Sequence, residues 1–240
     1  GYVLQHFEAP INYAYLFIVS SLLMAIGFGV FSTIEDPAKQ NVSDKEKSFK
    51  TFMKNSRLLL KSDARLQRQI IVIFLSFSYL LAMPFVILNA NNSFTLTGWM
   101  LGGFITVQML GSILGSTFLW TRIDDYEKML SLSFVFIIAA FVIALFANNV
   151  YGYGLIFLLF GIALDGFSNS SMNLVIEIAP EEKRPVYTAI QTNITSIGLF
   201  FPILGGIILK FVESYTAIYL LTIALLSAGF ILSLRLKKIK

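Results

Sequence analysis

The sequence predicts an all-α integral membrane protein with seven transmembrane helices. Hydrophobic residues make up 56% of its 240 residues, whereas charged residues make up only 13%. Soluble domains carry about 25% charged residues, so this composition is typical of a membrane protein. The apolar stretches are long and continuous. This favours helices over barrel strands, because a helix of about 20 apolar residues crosses the hydrocarbon core.

Seven stretches are long enough to span a membrane. They cover residues 11–32, 68–89, 96–119, 129–147, 152–178, 186–209 and 214–235. Among the 18 Lys and Arg residues, all except Lys210 fall on one side of this arrangement. Because basic loops remain in the cytoplasm, we expect a multi-pass protein of the cell membrane. Residues 1–10 would lie outside, and the C-terminus would lie inside.

The long loop 33–67 carries eight of the 18 basic residues and is expected to be cytoplasmic. Its second half has apolar residues that can share one broad helical face, namely Phe49, Phe52, Met53, Leu59 and Leu60. This pattern predicts an amphipathic helix on the inner membrane surface. A solvated linker is the alternative.

The chain therefore divides into three parts. Residues 1–32 form an outer segment and the first helix, residues 33–67 form the basic linker, and residues 68–240 form a six-helix bundle. The six helices make two sets of three. The set at 68–147 begins inside and the set at 152–235 begins outside, so the two topologies are inverted. Inverted three-helix repeats are typical of transporters.

Glycines and prolines mark special points in these helices. In the third helix, Gly98/Gly102 and Gly111/Gly115 form small-xxx-small pairs that allow close helix packing. Pro84 and Pro202 each remove a backbone donor and are expected to kink their helices.

Two loops at the basic side resemble motifs of the major facilitator superfamily. The segment GSILGSTFLWTRIDDYEKML is similar to that family's loop motif, although the usual Gly and second Arg after the Asp are absent. The residues that match are Leu119, Trp120, Arg122, Asp125 and Lys128. The segment EIAPEEKRPVYTAI resembles the loop before the family's eleventh helix through Glu177, Pro180 and Arg184.

Two further stretches extend this resemblance to the whole chain. GLFFPILGG is similar to the glycine–proline pattern of the eleventh helix, and FSTIEDP resembles the end of the sixth. The chain thus resembles the sixth helix, central loop and C-terminal bundle of a twelve-helix major facilitator. The resemblance implies secondary active transport of small solutes by alternating access. It also implies that N-terminal helices missing here, or a second half-bundle, complete the transporter.

The stretch DGFSNSSMN places a carboxylate in the middle of an apolar helix. At 100° per residue, one face carries Asp165, Ser168, Asn169 and Asn173 over about two turns. A carboxylate near the bilayer centre is a candidate for binding a solute, a cation or a proton. The alternative is a protonated Asp165 that only fixes packing by a hydrogen bond.

Polar residues at similar depth are candidates for the rest of a binding cavity. Gln108, Tyr79 and Asn193 are predicted to contribute to its wall, and hydrogen bonds between helices are the alternative for each. A polar and aromatic wall suits a sugar, a nucleoside or an amphipathic drug equally well.

Three charged residues near the basic side form a second candidate site. The resemblance implies a conformational latch in which Arg122 pairs with Glu177 while Asp125 faces the N-terminal bundle. An ordinary salt bridge that anchors a loop is the alternative.

Other classes of function find less support in the sequence. Cysteine is absent and His6 is the only histidine, so we expect no metal site, no cofactor and no enzyme. The net charge of +4 is explained by the basic loops, and no nucleic acid is expected. A seven-helix receptor or photoprotein remains an alternative, although 214–235 has no Lys for a retinal Schiff base. A non-transporting membrane scaffold is a further alternative.

Overall fold

The computed structural model describes residues 3, 6–8, 10–33 and 49–236. Within them the regular secondary structure is entirely helical, and seven helices are long and apolar enough to cross a membrane. The helices are α1 (Ile11–Phe31), α2 (Phe49–Ser62), α3 (Ala64–Ser93), α4 (Gly98–Arg122), α5 (Tyr126–Ala144), α6 (Val150–Ile178), α7 (Glu181–Val212) and α8 (Tyr215–Ser233). The predicted fold class is confirmed.

Three of the long helices change their winding along their length. In α3, a 3₁₀ segment at Phe77–Leu81 precedes Pro84. In α7, a 3₁₀ segment at Ser196–Phe200 precedes Pro202. At the basic end of α4 the helix becomes a π segment at Gly115–Leu119, which no pattern in the sequence predicted. Both prolines therefore lie at the start of a new helical segment, where the missing backbone donor costs little.

Most bundle helices begin at a side chain that accepts a hydrogen bond from the first turn. These N-cap residues are Asp63 (α3), Thr97 (α4), Asp125 (α5), Asn149 (α6) and Ser214 (α8). Each satisfies backbone N–H groups that have no partner within the helix. The short polar connections between the apolar helices thus fix where each helix starts.

The contacts among α3–α8 follow the predicted two-repeat arrangement. Helix α6 packs against α4 and α5, and its counterpart α3 packs against α7 and α8. Helices α5 and α8 pack against each other across the centre. The core between them is aromatic, and its largest fully buried side chains are Phe134, Phe141, Tyr153, Phe160 and Tyr219.

The two helices before the bundle differ in how they are packed. In α1, every side chain from 13 to 31 is exposed. Helix α2 contacts the bundle through Leu59 and Leu60, which pack against a small cluster with Leu66 and Tyr187. The side chains of Phe49, Phe52 and Met53 lie outside the described part of the chain, as do residues 34–48.

Candidate functional site

Helix α6 lies unusually close to α4 because glycines line the contact. A Cβ added at Gly161 would overlap the carbonyl oxygen of Gln108 and lie 2.8 Å from the amide nitrogen of Ser112. A Cβ at Gly111 would overlap the carbonyl oxygen of Leu158. Only backbones without side chains can approach this closely. The predicted packing role of Gly111 therefore matches its position.

A second glycine contact fixes α6 against the basic end of α4 and against α5. A Cβ at Gly166 would overlap the Ser133 hydroxyl and lie 2.6 Å from Cζ2 of Trp120. Trp120 is buried. The tryptophan of the loop motif is thus a packing residue. Because Gly166 follows Asp165 directly, this contact also sets the direction in which the neighbouring carboxylate points.

Asp165 lies near the middle of the 29-residue helix α6, at the edge of an exposed polar face. Nδ2 of Asn169 donates a hydrogen bond to Oδ2 of Asp165 at 3.2 Å. Nδ2 of Asn173 donates to the carbonyl oxygen of Asn169 at 2.8 Å. Ser112 of α4 also lies within hydrogen-bonding reach of the carboxylate. Asp165 is half-buried, whereas Ser168 and Asn169 are exposed.

The other predicted wall residues lie on the neighbouring helices α4 and α7 or pack against the aromatic core. Gln108 is half-buried on α4, one turn from Ser112, and Asn193 is exposed on α7. Tyr79 packs against the aromatic core of the bundle. Among the described residues, no hydrogen bond joins any of these three to Asp165. The structure therefore groups Ser112, Asn169 and Asp165 most closely, with Gln108 beside them.

A buried glutamine pair, which was not predicted as a site, links three helices nearer the basic end. Nε2 of Gln69 on α3 donates to Oε1 of Gln191 on α7 at 2.7 Å. Nε2 of Gln191 donates to both the carbonyl oxygen and the hydroxyl of Ser171 on α6, each at 3.1 Å. The signal in the sequence is a glutamine within an apolar helix. Nothing local reveals that the two glutamines meet.

The predicted latch residues lie at the basic end, but they are not joined in this structure. Arg122 and Glu177 are both exposed, and no ion pair joins them within the described residues. Asp125 caps α5 by accepting from the backbone N–H groups of Glu127 and Lys128, and its carboxylate lies 3.9 Å from Nζ of Lys128.

Glu177 instead lines a cavity of about 100 Å³ at the basic end of the bundle. The other polar residues of this cavity are Arg65, Gln69 and Glu127. The cavity therefore lies next to the glutamine pair, and it brings two glutamates and one arginine to the junction of α3, α5 and α6.

The junction between α2 and α3 is held by a second long-range hydrogen bond. The Tyr187 hydroxyl on α7 donates to Oδ2 of Asp63 at 2.7 Å. Burial alone raises the pKa of Asp63. The hydrogen bonds from Tyr187, Leu66 and Arg65, together with the Arg65 charge, outweigh burial and lower the pKa below its ordinary value of 3.8. Asp63 is therefore an ionised carboxylate at neutral pH.

The interrupted segments of α3 and α7 pack directly on each other. A Cβ at Gly198 would lie 2.6 Å from Cβ of Phe77, and a Cβ at Gly205 would overlap the carbonyl oxygen of Leu81. The glycines of the GLFFPILGG stretch thus allow α7 to approach the 3₁₀ segment of α3. When the two repeats are exchanged, this α3–α7 contact corresponds to the α4–α6 contact, and both contacts join one repeat to the other.

These observations define a multi-pass membrane protein whose bundle exposes a polar stripe at mid-span. A family model described as Major Facilitator Superfamily matches residues 1–198 and, in a second match, residues 69–239. The chain therefore belongs to the Major Facilitator Superfamily, a family of membrane transporters, and the resemblance seen in its motifs is confirmed. No curated protein matches the chain.

Proposed function

We propose that this chain is the C-terminal half of a secondary active transporter of small polar solutes that works by alternating access. The polar face of α6, with Asp165 at its edge, would form part of the solute pathway. Family membership supports a transporter over a receptor or photoprotein. The particular mechanism rests on the exposed polar face of α6.

This proposal rests chiefly on one observation. Ser168 and Asn169 are exposed one turn from Asp165, close to the middle of a helix long enough to span the bilayer. Polar side chains at this depth avoid lipid and face water or protein. The alternative, in which Asp165 only bonds to a neighbouring helix, accounts for Ser112 but gives no reason for the exposed amide and hydroxyl.

The exposed faces of α4 and α7 indicate what packs against the bundle beside the proposed pathway. Both helices expose large apolar side chains, including Met109 and Ile113 on α4 and Leu199 and Ile203 on α7. Helix α1 is also exposed along its length. We propose that additional N-terminal helices, or a second half-bundle, cover these surfaces and supply the other wall of the pathway. The match over residues 69–239 supports a bundle that begins near residue 68.

Within the proposed pathway, Asp165 would couple transport to a proton or cation. It accepts from Asn169 and lies near Ser112, so its ionised form has one donor in place and its protonated form can itself donate. A carboxylate that exchanges a proton in a partly dry site is suited to symport or antiport. Gln108 and Asn193 would contribute uncharged hydrogen-bonding groups to the same wall.

Uptake into proteoliposomes tests this proposal. The full-length protein is screened for uptake of sugars, nucleosides and amphipathic cations, with and without an inward proton gradient. For the solute that is carried, we expect Asp165→Asn to lose gradient-driven accumulation while it retains exchange of solute. Full accumulation by Asp165→Asn would refute coupling through this residue. Failure of every solute class would favour a membrane scaffold.

Arg122 and Glu177 are proposed to form a latch in the state that closes the basic end. Both side chains are exposed, and among the described residues no ion pair joins them, which fits a state in which that end is open. Arg122→Ala would then raise the fraction of molecules open at this end, whereas Lys183→Ala on the next loop would not. Equal accessibility of a cysteine placed in the pathway in both variants would contradict the latch.

A further inference from the structure

A groove at the basic end of the bundle runs between α3 and α8, away from the polar face of α6. Its volume is about 320 Å³. It is lined by Arg68, Ile71, Val72, Leu232, Arg235 and Leu236. Both arginines are exposed, while Val72 is buried. The groove therefore combines two cations with an aliphatic wall.

The order of residues is the same on both sides of the groove. On α3, Arg68 lies nearer the helix end and Ile71 lies one turn deeper. Opposite it, Arg235 follows the end of α8 and Leu232 lies one turn deeper. At 1.5 Å per residue, the cations stand about 4.5 Å nearer the membrane surface than the aliphatic side chains. The groove is thus positively charged at its rim and aliphatic one turn deeper.

The two guanidinium groups have no carboxylate partner among the described residues. The ion pairs found there join Asp63 to Arg65, Asp125 to Lys128, and Glu181 to Arg184. Glu127 and Glu177 line a different cavity that shares only Leu236 with this groove. Within the described part of the chain, two positive charges at helix ends therefore have no counter-ion and can bind an anion of the surrounding membrane.

From this arrangement we propose that the α3–α8 groove binds an anionic phospholipid of the surrounding leaflet. The phosphate would accept hydrogen bonds from Arg68 and Arg235, since guanidinium groups match the geometry of phosphate oxygens. An acyl chain would lie along Ile71 and Leu232. A basic pocket between transmembrane helices at the cytoplasmic side is a known way to hold such headgroups. A free phosphate would use the arginines but leave the aliphatic wall uncovered.

Lipid binding by the purified full-length protein tests this site. The dissociation constant for phosphatidylglycerol is measured by native mass spectrometry for the wild type and for R68Q/R235Q. Each cation near the surface contributes about 1 kcal/mol, so the double variant is expected to bind about 30-fold more weakly. The matched control is K183Q/R184Q, which loses two charges at the same end of the bundle but lies outside the groove. It is expected to bind like the wild type.

Three further measurements distinguish the contribution of the phosphate group from that of the acyl chain. Phosphatidylcholine with the same chains is expected to bind weakly, and inorganic phosphate is expected not to compete. Ile71→Trp fills the groove while it keeps both arginines, and it is expected to lose phosphatidylglycerol binding even if R68Q/R235Q does not fold. Binding of phosphatidylglycerol to Ile71→Trp at wild-type strength, or equal losses in both charge variants, would overturn the proposal. Equally strong competition by inorganic phosphate would reassign the groove to a free anion.

Discussion

The two faces of helix α6 differ in their composition and in how tightly they are packed. One face is built from glycines and aromatic rings, with Gly161 against α4, Gly166 against Trp120, and Phe160 in the core. The other face carries Asp165 and Asn169, which share a hydrogen bond and lie at or near the surface of the bundle. The packed face leaves no room for an added carbon. The polar face has room but is costly to place in a membrane.

The difference between the two faces separates residues that stabilise the fold from residues that are proposed to take part in transport. Changes on the packed face are expected to alter the free energy of unfolding strongly, because backbone atoms there touch other backbone atoms. Changes on the polar face are expected to alter transport and leave folding nearly intact, because few protein groups depend on them. The expected loss in the free energy of unfolding decreases from Gly161→Ala on the packed face to Asp165→Asn on the polar face, and two hydrogen-bonded sites outside α6 lie between these limits.

Gly161→Ala is expected to have the largest effect on stability. Its new Cβ would overlap the backbone of Gln108, and backbone atoms cannot rotate away as a side chain can. Overpacking of this kind costs about 1–3 kcal/mol, and we expect the upper end, measured by unfolding in mixed micelles. Gly154→Ala on the same helix is the control, because nothing lies within 4 Å of its added Cβ. Equal effects of the two changes would contradict the close α4–α6 contact.

Gln191→Leu is expected to rank second. It removes the partner of Gln69 and of Ser171 at once, and an unpaired buried polar group costs about 1–3 kcal/mol. Replacing Gln69 as well removes the orphaned amide, so Q69L/Q191L is expected to be less destabilised than the sum of the single changes. Thr192→Leu at the exposed neighbouring position serves as control. Strict additivity in this double-mutant cycle would show that the glutamines do not interact.

Asp63→Asn is expected to destabilise the α2–α3 junction by about 1.5 kcal/mol, the lower range for a hydrogen bond to a charged group. The lowered pKa of Asp63 means that its stabilisation is complete above pH 3.8 and is lost as the pH falls through the folded-state value. The difference between Asp63→Asn and wild type should therefore be constant near neutral pH and shrink in acid. Tyr187→Phe should reproduce part of the loss. A difference that grows on acidification would contradict this assignment.

Asp165→Asn is expected to have the smallest effect on folding, below about 0.5 kcal/mol, as for surface positions without a special structural role. The amide oxygen can still accept the hydrogen bond from Asn169. Transport is the sensitive readout, since the variant cannot release a proton. If Asp165→Asn destabilised the protein as much as Gly161→Ala, Asp165 would belong to the packed face, and the division between the two faces of α6 would be wrong.

Much of the fold follows from the sequence because lipid imposes simple rules. Runs of apolar residues predicted the seven spans. The kinks expected at Pro84 and Pro202 fall where α3 and α7 change their winding. The polar side of α6 followed from the 100° helical repeat applied to Asp165, Asn169 and Asn173. These features depend on residues close together in the chain.

The long-range contacts could not be predicted in the same way. Gln69 meets Gln191, and Asp63 meets Tyr187, across more than 100 residues. The pairing depends on how α3 and α7 cross, which no local pattern encodes. Asp125 was predicted as part of a latch, and the structure adds a capping role that its position before α5 would have suggested. The latch itself stays a prediction.

The accessibility of Asn169 to water tests the central claim most directly. The sequence contains no cysteine, so Asn169→Cys can be labelled in membranes with a charged, membrane-impermeant thiol reagent. Val135→Cys is the matched control, because Val135 is exposed and lies as far from the basic end of α5 as Asn169 lies from the basic end of α6. We predict rapid labelling at Asn169→Cys, protection by the transported solute, and little labelling at Val135→Cys. Equally slow labelling at both positions would show that the polar face of α6 does not border an aqueous pathway.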